Sequence, residues 1–401
     1  MASIPGSQFV YGASQPVNLV SNPSGGTATL PPPISGDFNL EVVTVSGVTS
    51  IPSGYAGVAE VANDTPSGAN SVTMLLGNYG VSDVESGDTI IAGSGSDTIF
   101  GNVAGDDIVF GTGAASIYGA HGDTINGSAA GTGSYIDASG AFTGGASADV
   151  ITLGNVANFV ATQGSLFGLD DTITAGSGNW VINTQFQNGT QQGPTVAANM
   201  DVTLGSGADT VYGAVGDTIN GANAGSGSYI DAILGHQNVT LGSQANFVPG
   251  QDVAFGFDDT ITAGSGNWII NTQFQDGTQQ SPTVAANMDV MLGSGADTAY
   301  GAVGDTITAG SGNQYIDFAA GHGAGGGEFL NDDTAATIGG NATVYNFDQS
   351  TGDRITGESP SSQAGVLATA TTVGSDTQLT LTDGTHITLV GVTNFSASFF
   401  S

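Results

Sequence analysis

The sequence predicts an all-β fold whose central part is a parallel β-solenoid of Gly- and Asp-rich repeats, with flanking β segments. Two observations lead to this prediction. Long stretches of the chain recur in tandem, which is typical of folds that stack one structural unit on the next. Within them, Gly-rich turns alternate with short runs that contain one apolar residue, and 66 of the 401 residues are glycine. Runs this short are stable as strands only when they are stacked.

The long repeat is visible when the chain is compared with itself. Three pairs of segments carry it: 152–160 with 240–248, 170–202 with 258–290 and, more diverged, 118–138 with 212–232. The first two pairs are separated by 88 positions. Tandem similarity over this length indicates that the repeats stack on one another and share a continuous core.

Inside the long repeat lies a shorter unit, made of a Gly-rich turn, an Asp and a short strand. It is clearest in AGSGSDTIF (92–100), LGSGADTVY (204–212) and LGSGADTAY (292–300). In each unit one side chain is predicted to point inward: Ile99, Val211 and, more weakly, Ala299. Parallel stacking would bury these side chains and pair the backbone groups of successive turns.

Changes in composition divide the chain into three predicted regions. Residues 1–80 contain a Pro-rich stretch and alternating segments such as NLEVVTVSGV, which are typical of half-buried strands. Residues 81–325 hold the tandem repeats. In residues 326–401 the Gly-Ser-Gly rhythm stops, and two strands are predicted around the Asp383-Gly384 turn.

The charge of the chain restricts its partners. It carries 35 acidic residues and one basic residue, Arg354, for a formal net charge of −34, yet 39% of its residues are apolar. The chain can therefore form a core, but something other than its own basic residues must neutralise its carboxylates, and the candidate is a divalent cation with oxygen ligands. Nucleic acids and anionic membranes are excluded because both require a basic surface. Transmembrane insertion is not expected, since no stretch approaches about 20 apolar residues.

The turns resemble a known family motif. The GSGSD, GSGAD and GDTI segments are similar to degenerate forms of the G-G-x-G-x-D-x-U-x nonapeptide of the repeats-in-toxin (RTX) family. The resemblance covers residues 87 to 317, with gaps. It implies a β-roll in which turn carbonyl groups and Asp carboxylates bind Ca²⁺ between neighbouring turns. The matching residues are Asp88, Asp97, Asp106, Asp123, Asp209, Asp217, Asp297 and Asp305, with Asp171 and Asp259 as weaker candidates.

Electrostatics supports a cation independently of the family. Equivalent Asp side chains about 4.8 Å apart would repel each other by about 0.9 kcal/mol in water and about 3.5 kcal/mol at an effective dielectric of about 20. Repeated along a stack, this repulsion could exceed the roughly 5–15 kcal/mol that stabilises a typical domain. Calcium binding and folding are therefore predicted to be coupled. The alternative is that Asp serves here only as a turn former.

Two features interrupt the motif. Ala115, Trp180, Trp268 and Gln314 occupy the Asp position, so the calcium sites are predicted to be discontinuous. The two Trp side chains are interpreted as structural caps, with sugar stacking as the alternative. The second feature is the pair of Gln-rich segments, which are expected to project as hairpins through turns at Asn188-Gly189 and Asp276-Gly277. They would be lateral contacts or inert decorations.

No catalytic motif is found in the sequence. H-E-x-x-H occurs at none of the four His residues, no Ser lies in G-x-S-x-G, and Arg354 lies outside the repeats. Enzyme activity is not expected. The start of the chain lacks the charged and apolar regions of a signal peptide. Its C-terminal segment, with FSASFF near the end, resembles the secretion end of type I exported proteins of the RTX family.

These observations predict a secreted, calcium-dependent structural protein. It is expected outside the cell or on a bacterial cell surface, exported by the type I secretion machinery and assembled as a homo-polymer. A surface layer, a filament and a biofilm-matrix fibre are all compatible with the sequence. Residues 1–80 are the predicted coupling element, because an extended segment can add a strand to a neighbour. The alternative function is a calcium-stiffened adhesin or ligand-binding module.

Overall fold

The chain divides into two compact units. Unit 1 comprises Met1–Gln192 and Ala198–Val202, and unit 2 comprises Gly193–Ala197 and Thr203–Ser401. The computed structural model describes residues 2–3, 10–11, 17–22, 31–35, 38–43, 47–50, 57–60, 72–75, 80–82, 89–91, 98–100, 107–110, 112, 116–118, 122–131, 133–138, 149–154, 165–167, 171–187, 190–191, 198–232, 235–243, 253–255, 257–272, 274–275, 278–279, 285–318, 327–332 and 338–401.

Unit 1 is built from short β-strands. They are β1 (Ala2–Ser3), β2 (Val10–Tyr11), β3 (Val17–Asn22), β4 (Phe38–Val43), β5 (Gly47–Ser50), β6 (Gly57–Glu60), β7 (Val72–Leu75), β8 (Gly80–Ser82), β9 (Thr89–Ile91), β10 (Thr98–Phe100), β11 (Asp107–Val109), β12 (Ser116–Tyr118), β13 (Thr124–Gly127), β14 (Tyr135–Ala138), β15 (Val150–Leu153), β16 (Ser165–Phe167), β17 (Thr172–Thr174), β18 (Val181–Asn183), β19 (Phe186–Gln187) and β20 (Thr190–Gln191). The next strand, β21 (Asp201–Thr203), lies at the boundary along the chain.

Unit 2 continues with strands of the same kind and ends in a cap. Its elements are β22 (Thr210–Tyr212), β23 (Thr218–Gly221), β24 (Tyr229–Ala232), β25 (Asn238–Leu241), β26 (Val253–Phe255), β27 (Thr260–Thr262), β28 (Ile269–Asn271), β29 (Phe274–Gln275), β30 (Thr278–Gln279), β31 (Asp289–Met291), β32 (Thr298–Tyr300), β33 (Thr306–Thr308), β34 (Asn313–Asp317), β35 (Phe329–Asn331), β36 (Asn341–Tyr345), β37 (Arg354–Thr356), α1 (Pro360–Thr369), β38 (Thr371–Val373), β39 (Asp376–Thr380), β40 (His386–Leu389) and a 3₁₀ turn at Ala397–Phe399.

Each unit contains two parallel sheets, and the chain alternates between them through most of the repeats. In unit 1, sheet 1 has the order β5-β7-β9-β11-β13-β15-β17 and sheet 2 the order β3-β4-β6-β8-β10-β12-β14-β16-β18. In unit 2, sheet 1 is β23-β25-β27-β31-β33-β35-β37 and sheet 2 is β22-β24-β26-β28-β32-β34-β36-β40. The predicted all-β parallel solenoid is confirmed.

The core consists of the central apolar side chains of successive strands. The predicted inward residues Ile99, Val211 and Ala299 are all fully buried. Sheet 1 stacks Ile125 on Ile151 in unit 1, and the same arrangement continues in unit 2. Burying one such branched side chain contributes roughly 1.5–3 kcal/mol, so stability grows with each added coil.

The flanking segments are also built from β-strands. Strands β3 to β8, in the predicted N-terminal β segment, pair in parallel within the two sheets. The C-terminal strand pair is confirmed as the antiparallel β39-β40 hairpin, and the Gln-rich hairpins as β19-β20 and β29-β30. The residues at the tips of the Gln-rich hairpins, 188–189 and 276–277, lie outside the described ranges.

One helix, α1, was not predicted. It begins after Ser359, whose hydroxyl accepts a hydrogen bond from the main-chain N–H of Ser362, and Pro360 occupies its first turn. These are ordinary helix-start signals. The alternation of apolar and polar residues that predicts strands does not reveal them. Among the described residues, no helix has the length and apolar character needed to cross a membrane.

Candidate functional site

The residue that precedes each strand of sheet 1 lies at the same corner of successive coils. We call these residues the corner column of each unit. In unit 1 the described members are Asp123, Asp149, Asp171 and Met200, and in unit 2 they are Asp217, Gln237, Asp259, Met288, Asp305, Glu328 and Asp353. All are at most 2% exposed. The fold therefore brings buried carboxyl groups into register from coil to coil.

Main-chain hydrogen bonds connect the column. In unit 1 the N–H of Asp123 donates to Oδ1 of Asp149 at 2.6 Å, and the N–H of Asp149 donates to Oδ1 of Asp171 at 2.9 Å. In unit 2 the N–H of Gln237 donates to Oδ1 of Asp259 at 2.7 Å. Each of these carboxyl groups accepts one N–H from the preceding coil, which satisfies a buried donor.

Methionine takes the same place where the carboxyl group is missing. Sδ of Met200 accepts the N–H of Asp171 at 3.3 Å, and Sδ of Met288 accepts the N–H of Asp259 at the same distance. Sulfur is a weak acceptor without charge. The fold therefore needs a hydrogen-bond acceptor at this corner, but it does not need a negative charge there. The charge that the Asp residues bring to the column is not required by the hydrogen bond.

Burial opposes ionisation of the column. It raises the pKa of Asp149 to about 9, with a further contribution from the charge of Asp171. It also raises the pKa of Asp305 to about 7, although hydrogen bonds from Thr272, Ala302 and Met288 oppose the rise. Oδ2 of Asp149 is buried and has no hydrogen-bond partner among the described residues. At neutral pH these groups must hold either a proton or a cation.

The donor set at Asp149 fits a hard cation. Asp123, Asp149 and Asp171 are acidic residues in register on three successive coils, and carboxylate oxygen is a ligand that Ca²⁺ prefers. Within the described ranges, no three acidic or histidine side chains converge as a ready metal centre. A calcium ion bound at Asp149 would therefore complete its shell with main-chain carbonyl oxygens or water, as Ca²⁺ commonly does.

Known proteins offer no independent guide to this site. Comparisons of the chain with protein-family models, curated proteins and solved structures gave no match. The resemblance to RTX repeats rests on the motif residues alone.

A second corner, before the strands of sheet 2, is organised differently. Here side-chain N–H groups bind the carbonyl oxygens of Gly-rich turns. Nε1 of Trp180 donates to the Gly154 carbonyl at 2.9 Å, and Nε1 of Trp268 donates to the Gly242 carbonyl at 3.0 Å. The two Trp side chains are 1% and 3% exposed, so the structural-cap interpretation is confirmed and sugar stacking on these rings is wrong.

Gln314 acts in the same way as the Trp residues. Its Nε2 lies 3.1 Å from the Gly293 carbonyl oxygen and 3.2 Å from that of Gly295. In the RTX motif, turn carbonyls of this kind are the expected calcium ligands. At these coils a neutral N–H donor already satisfies them, so a cation is not needed there.

Asp209 and Asp297 also lie at the second corner, and both are buried. Oδ1 of Asp297 accepts the N–H of Trp268 at 2.9 Å and Oδ2 accepts the N–H of Gly293 at 3.0 Å, while burial raises the pKa of this carboxyl group. The N–H of Asp209 donates to Oγ of Ser228 at 3.0 Å. Trp268 and Gln314 lie in register with Asp297 on the two adjacent coils, and Ser228 lies in register with Asp209 on the described coil that follows it. These neighbouring positions therefore supply no second carboxylate.

The predicted calcium residues thus fall into three groups. Asp123, Asp171, Asp217, Asp259 and Asp305 lie in the corner columns, and Asp209 and Asp297 at the second corner. Asp88, Asp97 and Asp106 lie outside the described residues, as does Ala115. The motif search missed three corner-column residues: Asp149, Glu328 and Asp353. The signal that could have found them is an acidic residue two positions before an inward Ile or Leu, with or without a Gly-rich turn.

A further carboxyl cluster anchors the C-terminal hairpin of unit 2. The N–H of Thr382 donates to Oδ2 of Asp332 at 2.7 Å, and its hydroxyl lies 2.8 Å from both carboxylate oxygens of Glu358. Burial and a hydrogen bond with Glu358 raise the pKa of Asp332 to about 7. A proton held by Asp332 near neutral pH removes one charge from this pair of acids.

Replacing Trp268 with Phe tests whether its N–H substitutes for a cation. We expect the free energy of unfolding to fall by roughly 1–3 kcal/mol, because the Gly242 carbonyl loses its donor inside the protein. Chemical denaturation in the presence of calcium measures the change. Trp180→Phe, which removes the equivalent bond in unit 1, should behave alike. An unchanged unfolding free energy in both variants would show that the indole N–H contributes only packing.

Proposed function

We propose that this chain is a secreted, calcium-dependent structural protein that self-assembles into an extracellular polymer. Calcium is proposed to fold the solenoid, and the folded solenoid is the building block. The single observation that carries the proposal is the corner column of unit 1, where Asp123, Asp149 and Asp171 stack in consecutive coils and are buried. A stack of this kind is stable only when its charges are neutralised.

Calcium fits this role better than the chain's own cations. The sequence contains one basic residue against 35 acidic ones, and that residue, Arg354, donates to the main-chain carbonyls of Gln349 and Asp353. When bound, calcium would supply positive charge at Asp149 and its neighbours, and the side chains would supply oxygen ligands. The resemblance of the turns to RTX repeats supports the same ion. No catalytic role is proposed.

Export fits the same picture. We propose that the chain leaves the cell through the type I secretion machinery and acts outside the cell or on a bacterial surface. The support is the resemblance of the C-terminal segment to the secretion end of RTX proteins. A chain whose folding requires calcium stays unfolded where calcium is scarce and folds where it is abundant.

Assembly is tested by electron microscopy and light scattering of purified protein. With millimolar calcium we expect ordered polymers, and with excess chelator we expect none. Assembly should depend on calcium more steeply than folding does, because subunits with a formal charge of −34 repel each other. If folded protein remains monodisperse at high concentration with calcium, the assembly proposal fails and the adhesin function takes its place.

A further inference from the structure

The outer surface of sheet 1 carries regularly spaced threonines. In unit 1 they are Thr152 on β15 and Thr172 and Thr174 on β17, and all three are exposed. The 88-residue repeat places the same residues in unit 2, where Thr240 lies on β25 and Thr260 and Thr262 on β27. We call these six residues the threonine face. Each unit thus presents one copy of the same pattern.

The pairing register makes the face periodic. Thr152 pairs with Thr174 in unit 1, and Thr240 pairs with Thr262 in unit 2. Neighbouring strands lie about 4.8 Å apart, and alternate residues on one strand lie about 6.6 Å apart. Because β-branched side chains have few rotamers, the hydroxyl groups are held on a nearly rigid grid.

The six threonine side chains are uncharged, and their hydroxyl groups are available. None of the six threonine hydroxyls has a hydrogen-bond partner among the described residues. Apolar side chains lie beside them, with Val150 52% exposed in unit 1 and Met291 47% exposed in unit 2. In unit 2 a shallow groove of about 280 Å³ runs along Thr260, Thr262 and Met291, and the exposed Asp289, which pairs with Thr260, also lines it. In a chain of formal charge −34, a surface whose six threonines are uncharged limits the repulsion when two copies approach each other.

We propose that the threonine face is the surface through which copies of this chain bind one another in the polymer. This inference rests on the proposed self-assembly and assigns it to particular residues. A second copy is the occupant that the observations favour, because its own threonine face has the same two spacings and the same uncharged, β-branched side chains. Hydroxyl groups and methyl groups of two such faces can therefore be in register over several coils at once.

The repeat also explains why assembly through this face does not stop at a pair. Each chain has two equivalent patches, one in each unit. When the unit 1 patch of one copy binds the unit 2 patch of the next, the contact is heterologous, and both chains keep a free patch. Heterologous contacts propagate into open polymers or rings. The N-terminal segment and the Gln-rich hairpins are then not required for growth.

Two variants with matched chemistry test the inference. Thr260→Asp with Thr262→Asp places charge on the threonine face of unit 2. Thr298→Asp with Thr343→Asp places the same charge on outward positions of sheet 2 and controls for the lower strand propensity of Asp. Circular dichroism and melting with calcium first establish that both variants are folded. Sedimentation and light scattering then give the protein concentration at which polymers form.

We expect the face variant to need at least about tenfold more protein to assemble, because like charges would meet in the interface, and the control to assemble as wild type does. Wild-type polymers together with an unaffected face variant would overturn the inference and leave the proposed function intact. Folded wild type that never assembles would overturn both. If wild type never assembles but is retained on an insoluble polysaccharide, and the Thr260→Asp, Thr262→Asp variant is not retained, the face binds a glycan instead.

Discussion

In excess chelator, the protein should lose stability steadily as the pH rises from 5 to 8. The buried carboxyl groups of the corner columns are the reason. The pKa of Asp149 is raised to about 9 and that of Asp305 to about 7, mainly by burial, whereas an Asp in the unfolded chain titrates near 3.9. The folded chain therefore binds more protons than the unfolded chain over this whole range, and acid stabilises it.

The size of the effect follows from proton linkage. Stability from Asp149 is fully present below pH 4 and is lost as the pH rises towards 9, at about 1.4 kcal/mol per pH step. From pH 5 to 8 this one residue accounts for roughly 4 kcal/mol. Thermal melts in chelator at pH 5, 6 and 7 measure the slope, and at pH 8 the melting transition should be absent because little folded protein remains.

Asp149→Asn separates this residue from the rest of the column. The amide oxygen can still accept the N–H of Asp123, but it carries no charge, so the variant should melt with a shallower pH dependence. Asp201→Asn, which removes an exposed carboxylate, should leave the slope unchanged. A wild-type melting temperature that is flat between pH 5 and 8 in chelator would contradict the account of the corner column.

The solenoid could be derived from the sequence because its signals are local and repeated. An inward Ile99 or Val211 follows each Asp by two residues, and every additional copy reinforces the same period. The N-terminal strands were predicted as strands but their parallel pairing was not, because β4 and β5 lie outside the Gly-rich rhythm that marks the repeats. Helix α1 was missed because its cap, Ser359-Pro360, is a signal of another kind.

The candidate site was predictable in its residue type but not in its geometry. The Asp-Thr-Ile pattern identified Asp123 and Asp171 but passed over Asp149, which is followed by Val-Ile instead of Thr-Ile. Spacing also gave no means to distinguish the two corners. The two corners differ in the group that binds each turn carbonyl. The indole N–H of Trp268 donates to the carbonyl of Gly242, which lies on another coil, so this contact forms only when the coils stack.

Calcium should convert an unfolded chain into the solenoid at pH 8. At this pH Asp305 is largely ionised, and Asp149, with a pKa of about 9, must take up a proton when the chain folds, which costs stability. Where two neighbouring carboxylates of the column are both ionised, they repel each other in buried positions. A pair about 4.8 Å apart costs about 3.5 kcal/mol at an effective dielectric of about 20. Magnesium at equal concentration should be much less effective, because it keeps its waters and demands octahedral geometry.

The most direct test is far-ultraviolet circular dichroism during a calcium titration of chelated protein at pH 8. The account predicts little β signal at the start, recovery of the signal with millimolar calcium, and reversal when chelator is added again. Asp171→Asn, which removes one charge from the unit 1 column, should retain more β signal in chelator than wild type does. A chelated wild-type protein that keeps its full β spectrum and its melting temperature at pH 8 would contradict the claim that calcium folds this chain.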